Sequence, residues 1–144
     1  MAGSKSNYLS KVILNHVLGN TPYTAAATVY VGLWTTAGSL TDPSGGTAAN
    51  EVSASGTAYG RQSLTNDTTN WPNATGSTTG LKQNGVAITW STATASWGII
   101  NQFALLDAAS SGNILYWGDL TTPKSISTGD TASFSAGALT ITEN

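Results

Sequence analysis

The stretch "ATASWGIINQFALLDAASSGNILYWGDL", residues 93–120, carries the clearest structural signal of the chain. Its two apolar runs flank the tight turn Ser110-Ser111-Gly112-Asn113, a pattern that predicts a β-hairpin. The stretch contains two tryptophans, a phenylalanine and a tyrosine, whereas its only charged residues are Asp107 and Asp119. We therefore expect a core-forming hairpin with both aspartates at strand ends or turns. The expected cost of Trp97→Ala is about 3–5 kcal/mol of stability.

Short strands separated by turn residues are predicted on both sides of this hairpin. In Thr28–Thr35 the alternation places Val29, Val31 and Leu33 on one face, and Tyr30 and Trp34 on the other. The remaining predicted strands are 58–65, 86–90, 97–106, 113–119, 131–134 and 138–142. Residues 36–57 and 66–84, rich in Gly, Ser, Thr and Asn, are predicted to be long loops. The pattern favours an all-β antiparallel sandwich, jelly-roll-like, over residues 28–142.

One short α-helix is predicted at the N-terminus, over residues 6–19. Ser6 or Asn7 can cap it, and Gly19 can adopt the left-handed C-terminal conformation. One face carries Leu9, Val12, Ile13, His16 and Val17. Leu14 and Leu18 fall on the other side, beside Lys11 and Asn15. Either a neighbouring molecule covers Leu14 and Leu18, or the two leucines lie under a local loop.

The composition favours one domain, residues 1–144, with few charges. Charged residues make up 8% of the chain, whereas about 25% is usual. The net charge is −2 and the five basic residues are dispersed, which argues against nucleic acid binding. No run approaches the roughly 18 apolar residues of a membrane span. We also expect no secretory signal, because Lys11, Asn15 and His16 interrupt the N-terminal apolar run.

The sequence contains no pattern typical of a catalytic, metal or cofactor site. We expect His16 to be a neutral core residue, since no acid lies near it in the sequence. No serine lies in a GxSxG motif, although a Ser-His-Asp arrangement assembled in space stays open. The aspartates favour turns over a calcium site; they are Asp42, Asp67, Asp107, Asp119 and Asp130. We therefore expect no enzyme, no cofactor and no metal.

Four of the five tryptophans divide into three core candidates and one binding candidate. Trp90, Trp97 and Trp117 lie in or beside predicted strands, where large aromatic residues fill the space between sheets. Trp71 instead follows Asn70 in a predicted loop and precedes Pro72. We expect Trp71 to anchor a partner or a neighbouring copy. Together with Leu14 and Leu18, it forms the set of predicted partner or self-contact residues.

Four segments of the chain resemble a family of small virion proteins of tailed bacteriophages, whose members are often labelled tail fibre proteins. The segments are "VYVGLWT" after a short helix, "AYGRQSL", "VAITWSTATASWGIINQFALLDAASSGNILYWGDL" and "KSISTGDTASFSAGALTITEN". The resemblance covers most of the chain except the two loops. It implies a non-enzymatic structural component of a virus particle, made in the host bacterial cytoplasm. It does not distinguish the head from the tail.

Two structural roles are compatible with this resemblance. The first is a capsid decoration (cement) protein that binds the major capsid protein and copies of itself, with a trimer expected. The alternative is a tail fibre or receptor-binding module that contacts a host surface glycan. A hydrolase ranks last, because Glu51 and Glu143 are the only glutamates and no acid pair stands out.

Overall fold

The structure is a computed structural model that describes residues 3–35, 40 and 51–143. These residues form one α-helix and nine β-strands, which confirms a mainly β fold with a single N-terminal helix. The elements are β1 Gly3–Lys5, α1 Asn7–Leu18, β2 Thr28–Thr35, β3 Gln62–Thr65, β4 Gly80–Gln83, β5 Ile88–Thr89, β6 Gly98–Leu106, β7 Ile114–Ile126, β8 Ser133–Phe134 and β9 Thr140–Glu143. Much of the predicted loop 36–57, including Asp42, lies outside the described residues.

Seven strands form one large sheet in the order β3-β2-β6-β7-β1-β9-β4, and β5 and β8 form a small second sheet. All neighbours are antiparallel except β1 and β9, which are parallel with Gly3 opposite Ile141. Ile88, Trp90 and Phe134 belong to the same hydrophobic cluster as Val31 and Leu33 of the large sheet. The small sheet therefore packs on one face of the large sheet, as in a sandwich with unequal layers. The jelly-roll arrangement stays a prediction.

The hairpin at residues 93–120 is confirmed as β6 and β7. Its turn uses positive φ angles at Ser111 and Gly112, of 52° and 74°. Asp107 stabilises the turn, because its carboxylate accepts hydrogen bonds from the backbone and the side chain of Asn113 at 2.7 and 2.8 Å. Asp119 differs from the prediction. It lies inside β7, where it accepts a 2.7 Å bond from Gln102.

Strand β2 separates two hydrophobic clusters, as its alternation predicts. Val29, Val31 and Leu33 belong to the main cluster on one face, which includes Phe103, Trp90 and Trp97. Trp34 belongs to a smaller cluster on the opposite face, with Tyr30 packed against it. The predicted burial of Trp90 and Trp97 is confirmed, whereas Trp117 is half-buried against the smaller cluster.

Helix α1 begins as predicted and ends differently. The Ser6 hydroxyl caps it by accepting a hydrogen bond from the Leu9 N–H at 3.1 Å. Gly19, however, has φ −111°, and the left-handed residue is Asn20 with φ 50°. Gly19 fits for another reason: its N–H donates to the Asn15 carbonyl at 2.9 Å, and a Cβ there would lie 2.9 Å from that same oxygen.

Two strands occur where the sequence predicts none. β4 lies in the predicted loop 66–84 and pairs with β9, and β1 precedes the helix and lies between β7 and β9. Neither segment alternates between apolar and polar residues. Each is a strand because neighbouring strands supply its backbone hydrogen-bond partners. β7 also extends seven residues past the predicted end at 119, to Ile126. A register shift between Ile100 and Gln102 accommodates Pro123, which has no N–H for the ladder.

Candidate functional site

The most exposed apolar surface of the described chain is on helix α1. Leu14, Val17 and Leu18 have exposed fractions of 58%, 69% and 81%, and we call these three residues the α1 patch. Only Leu9 of this helix is buried, against the large sheet. The explanation that a local loop covers Leu14 and Leu18 is therefore wrong. Their contact with a partner stays a prediction that this exposure permits.

His16 is exposed on the same helix, so the prediction of a core histidine is wrong. Its Nδ1 accepts a 3.2 Å hydrogen bond from the backbone N–H of Tyr23. The apolar residues around it suggested burial, but every residue of α1 from Leu14 to Leu18 is exposed. Within the described part of the chain, no group of three or more His, Cys, Asp or Glu side chains could hold a metal ion. The described residues also include no helix long and apolar enough to cross a membrane.

Trp71 is buried, with an exposed fraction of 4%, so the expectation that it is a surface anchor is wrong. Asp67 shapes the preceding turn by accepting hydrogen bonds from the N–H groups of Thr69 and Asn70 at 3.0 and 2.8 Å. The Trp71 N–H then donates to the Asp67 carbonyl at 2.9 Å. This Asp-capped turn directs the indole into the main hydrophobic cluster. The sequence contains the signal for this turn, because Asp67 lies three residues before Asn70 and four residues before Trp71.

Trp71 also lines a cavity of about 390 Å³ beneath α1, which we call the α1 cavity. Its walls are largely apolar and include Leu9, Ile13 and Tyr116. Glu143 lies at this cavity and forms a 2.8 Å ion pair with Lys5. Burial, and then the negative charge of Glu143, raise the pKa of Tyr116 above its ordinary value. The Tyr116 phenol is therefore neutral at physiological pH.

A second cavity of about 560 Å³ lies between the large and small sheets, and we call it the Trp90 cavity. Leu33, Trp90, Ile100 and Phe134 supply apolar surface. Hydroxyl groups and one lysine supply the polar surface, from Thr121, Thr122, Lys124, Thr131 and Ser133. The indole of Trp90 packs edge-on against Phe134, with 5.8 Å between ring centroids. The indole N–H is buried, and it has no hydrogen-bond partner among the residues that the structure describes.

A buried ion pair joins the segment after the long loop to the β6–β7 turn. The Glu51 carboxylate accepts bonds from Nε and Nη2 of Arg61, both at 2.8 Å, and from the Tyr59 hydroxyl at 2.9 Å. Arg61 Nη1 donates to the carbonyls of Ala108 and Ser111 at 2.8 and 2.9 Å. The pair is therefore a structural clamp. Sequence reasoning missed it because ten residues separate its partners and neither lies in a regular pattern.

Electrostatics keep Tyr59 and Arg61 in one protonation state each. Burial is the main cause that raises the pKa of Tyr59, and the Glu51 charge adds to it. The hydrogen bond to Glu51 raises the pKa of Arg61 in turn. Tyr59 is neutral and Arg61 is charged at physiological pH. Neither group is poised to exchange a proton near neutrality.

The chain matches a known protein family. The family model described as "Podophage GP4 fiber I protein gp80" matches residues 4–142. This range contains α1, Trp71, Trp90 and the Glu51–Arg61 pair, so the match extends over nearly the whole chain. No curated protein matches the chain.

Proposed function

Since this chain belongs to the family of podophage GP4 fiber I proteins, it is a structural protein of a bacteriophage particle, and we propose that it is a subunit of the tail fibre. The resemblance to phage virion proteins is thereby confirmed. The family description favours the fibre over the capsid decoration role, since it names a fibre component. The proposal rests on this match to a family described as a fibre protein.

The proposed subunit works by binding and not by catalysis. Its buried polar groups serve packing: Arg61 and Glu51 hold one loop, and the Asn84 side chain bonds to Val86, Ser135 and Leu139 at 2.8–2.9 Å. Such groups rigidify a structure when they are fully satisfied. A rigid, weakly charged subunit suits a particle component that is packed beside many copies. Another virion protein would attach the fibre to the particle.

The proposed contact between copies is the α1 patch. Leu14, Val17 and Leu18 would lose exposed apolar surface on association, which is favourable. The edges of the large sheet are less suitable, since β3 and β4 are four residues each and β4 carries Lys82. The chain has 8% charged residues, so repulsion between copies is weak. Three copies around one axis would close the contact, as expected from the sequence.

The number of copies per particle tests the location of the protein. We would measure the ratio of this protein to the major capsid protein in purified virions by quantitative mass spectrometry, and label virions with a specific antibody for electron microscopy. A fibre subunit gives on the order of tens of copies or fewer, with label on the tail. Hundreds of copies, with label on tailless heads, would overturn the fibre proposal in favour of capsid decoration.

The state of the purified protein tests the α1 contact. Light scattering after size-exclusion chromatography should give about three times the chain mass of 14.7 kDa. Leu14→Ser with Leu18→Ser should yield the monomer. Ile99→Ser is the matched control, because Ile99 is an exposed apolar residue of β6. A monomeric wild type, or a double variant that associates like the Ile99 control, would contradict this contact.

A further inference from the structure

Asn84 and Gly85 form the only Asn-Gly sequence of the chain. This dipeptide is especially prone to deamidation, because glycine has no side chain to hinder attack of its backbone nitrogen on the asparagine side chain. In the reaction, the Gly85 nitrogen bonds to Cγ of Asn84 and the bond from Cγ to Nδ2 breaks. Ammonia leaves with the proton of the Gly85 N–H. Water then opens the resulting succinimide ring to aspartate or isoaspartate.

The fold leaves no room for a side chain at position 85. A Cβ there would lie 2.2 Å from the Thr69 carbonyl oxygen and 2.9 Å from Cδ of Pro72. The close approach lets the Gly85 N–H donate to the Asn70 carbonyl at 2.7 Å. The nitrogen that would attack Asn84 must therefore lose this hydrogen bond before it can lose its proton.

The fold also holds the side chain of Asn84, a residue that is 1% exposed. Its amide group donates to the carbonyls of Val86 and Ser135 at 2.8 and 2.9 Å, which uses both amide hydrogens. Its Oδ1 accepts a hydrogen bond from the Leu139 N–H at 2.8 Å, and its backbone N–H donates to the Leu139 carbonyl at 3.2 Å. Cγ of Asn84 cannot turn towards the Gly85 nitrogen while these bonds exist.

We propose that Asn84 is a deamidation site that the fold keeps unreactive, so that it reacts only in chains that open, and that a reacted chain refolds less stably. The reaction places a carboxylate opposite two carbonyl oxygens that now accept from the amide. A buried charge without donors is costly. Isoaspartate also lengthens the backbone between β4 and β5 by one carbon atom. Opening of this segment would thus become irreversible by chemical modification.

Mass-spectrometric peptide mapping of the full-length protein tests the proposal. The wild type is incubated at mildly alkaline pH, either native or unfolded in guanidinium chloride, and the deamidated fraction at Asn84 is followed with time. The native protein should react at least about 100-fold more slowly, since a stable fold opens in about 1% of molecules or fewer. Asn113 is the internal control, because the following Ile114 hinders attack and the reaction should be slow in both states.

The hydrogen bond of Gly85 is tested with a matched pair of turn variants. The Asp67 carboxylate accepts from the backbone and the side chain of Asn70 at 2.8 and 3.0 Å, so it positions the carbonyl that Gly85 contacts. Asp67→Ala should speed native deamidation about fivefold or more, as for a lost hydrogen bond. Asp130→Ala removes a similar acceptor, for the Ser127 N–H, and should leave the rate unchanged. Each variant is measured at the same interval below its own melting temperature, which removes differences in global stability.

The stability of reacted chains is measured in a mixture. Partly deamidated protein is refolded and treated briefly with protease at increasing urea concentration, and reacted chains should be cleaved at lower urea than unreacted ones. The proposal would be overturned by a native rate within about tenfold of the unfolded rate, by equal acceleration in both turn variants, or by cleavage of both kinds of chain at the same urea concentration. None of these measurements requires the phage particle, so their outcome is independent of the fibre role.

Discussion

Replacing Glu51 with alanine should destabilise the protein more than loss of a surface ion pair would. The side chains of Arg61 and Glu51 are 4% and 10% exposed, so water replaces the missing carboxylate poorly. Nε and Nη2 of Arg61 and the Tyr59 hydroxyl all lose their acceptor. Breaking one side of a buried pair costs about 3–5 kcal/mol. For a chain of 144 residues, this is a decrease in melting temperature of roughly 10–15 °C.

The assay is thermal and urea unfolding followed by near-ultraviolet circular dichroism, at neutral pH and one fixed protein concentration, because association shifts apparent stability. Glu51→Ala, Arg61→Ala and the double variant form a cycle that isolates the coupling between the two residues. We expect a coupling energy of about 2 kcal/mol or more, since both charges are buried. A coupling below about 0.5 kcal/mol, typical of exposed pairs, would refute the clamp.

Three further predictions concern buried groups. The raised pKa of Tyr59 means that its contribution to stability is complete below the ordinary value of 10.0 and is lost as the pH rises above it; Tyr59→Phe should therefore show a shallower alkaline decline in urea unfolding. Trp71→Ala should cost about 3–5 kcal/mol in the same assay, like Trp97→Ala, and an unchanged melting temperature would show that the indole is exposed. Asn84→Asp should cost about 2 kcal/mol or more, because it removes the two amide hydrogen bonds to the Val86 and Ser135 carbonyls; a stability equal to wild type would show that water replaces them.

The parts of the fold that the sequence predicts correctly are those with strong local signals. The alternation of Thr28–Thr35 identifies both faces of β2, because each face is covered by its own cluster. Ser6 identifies the start of α1, since capping is a local interaction. The apolar runs around Ser111 and Gly112 identify the hairpin for the same reason.

The parts that sequence reasoning misses depend on distant partners. Strand β1 has no apolar pattern, and only the presence of β7 and β9 on its two sides makes it a strand. Trp71 lies among polar residues, but the sheet and α1 provide a buried place for it. His16 shows the reverse error, since it lies among apolar residues of α1 but the whole segment from Leu14 to Leu18 is exposed. The Trp90 cavity also follows from the packing of two sheets, and no residue pattern predicts it.

The parallel pairing of β1 with β9 determines how the subunit responds to mechanical load. Gly3 lies at the start of β1 and Glu143 at the end of β9, and the two strands run in the same direction. Tension applied between residues 3 and 143 would load β1 lengthwise, so its pairing with β9 at Gly3–Ile141 and its three-residue pairing with β7 would be sheared together instead of opening one residue at a time. Because β1 lies between β7 and β9, this shear resistance would be inside the sheet and not at an edge.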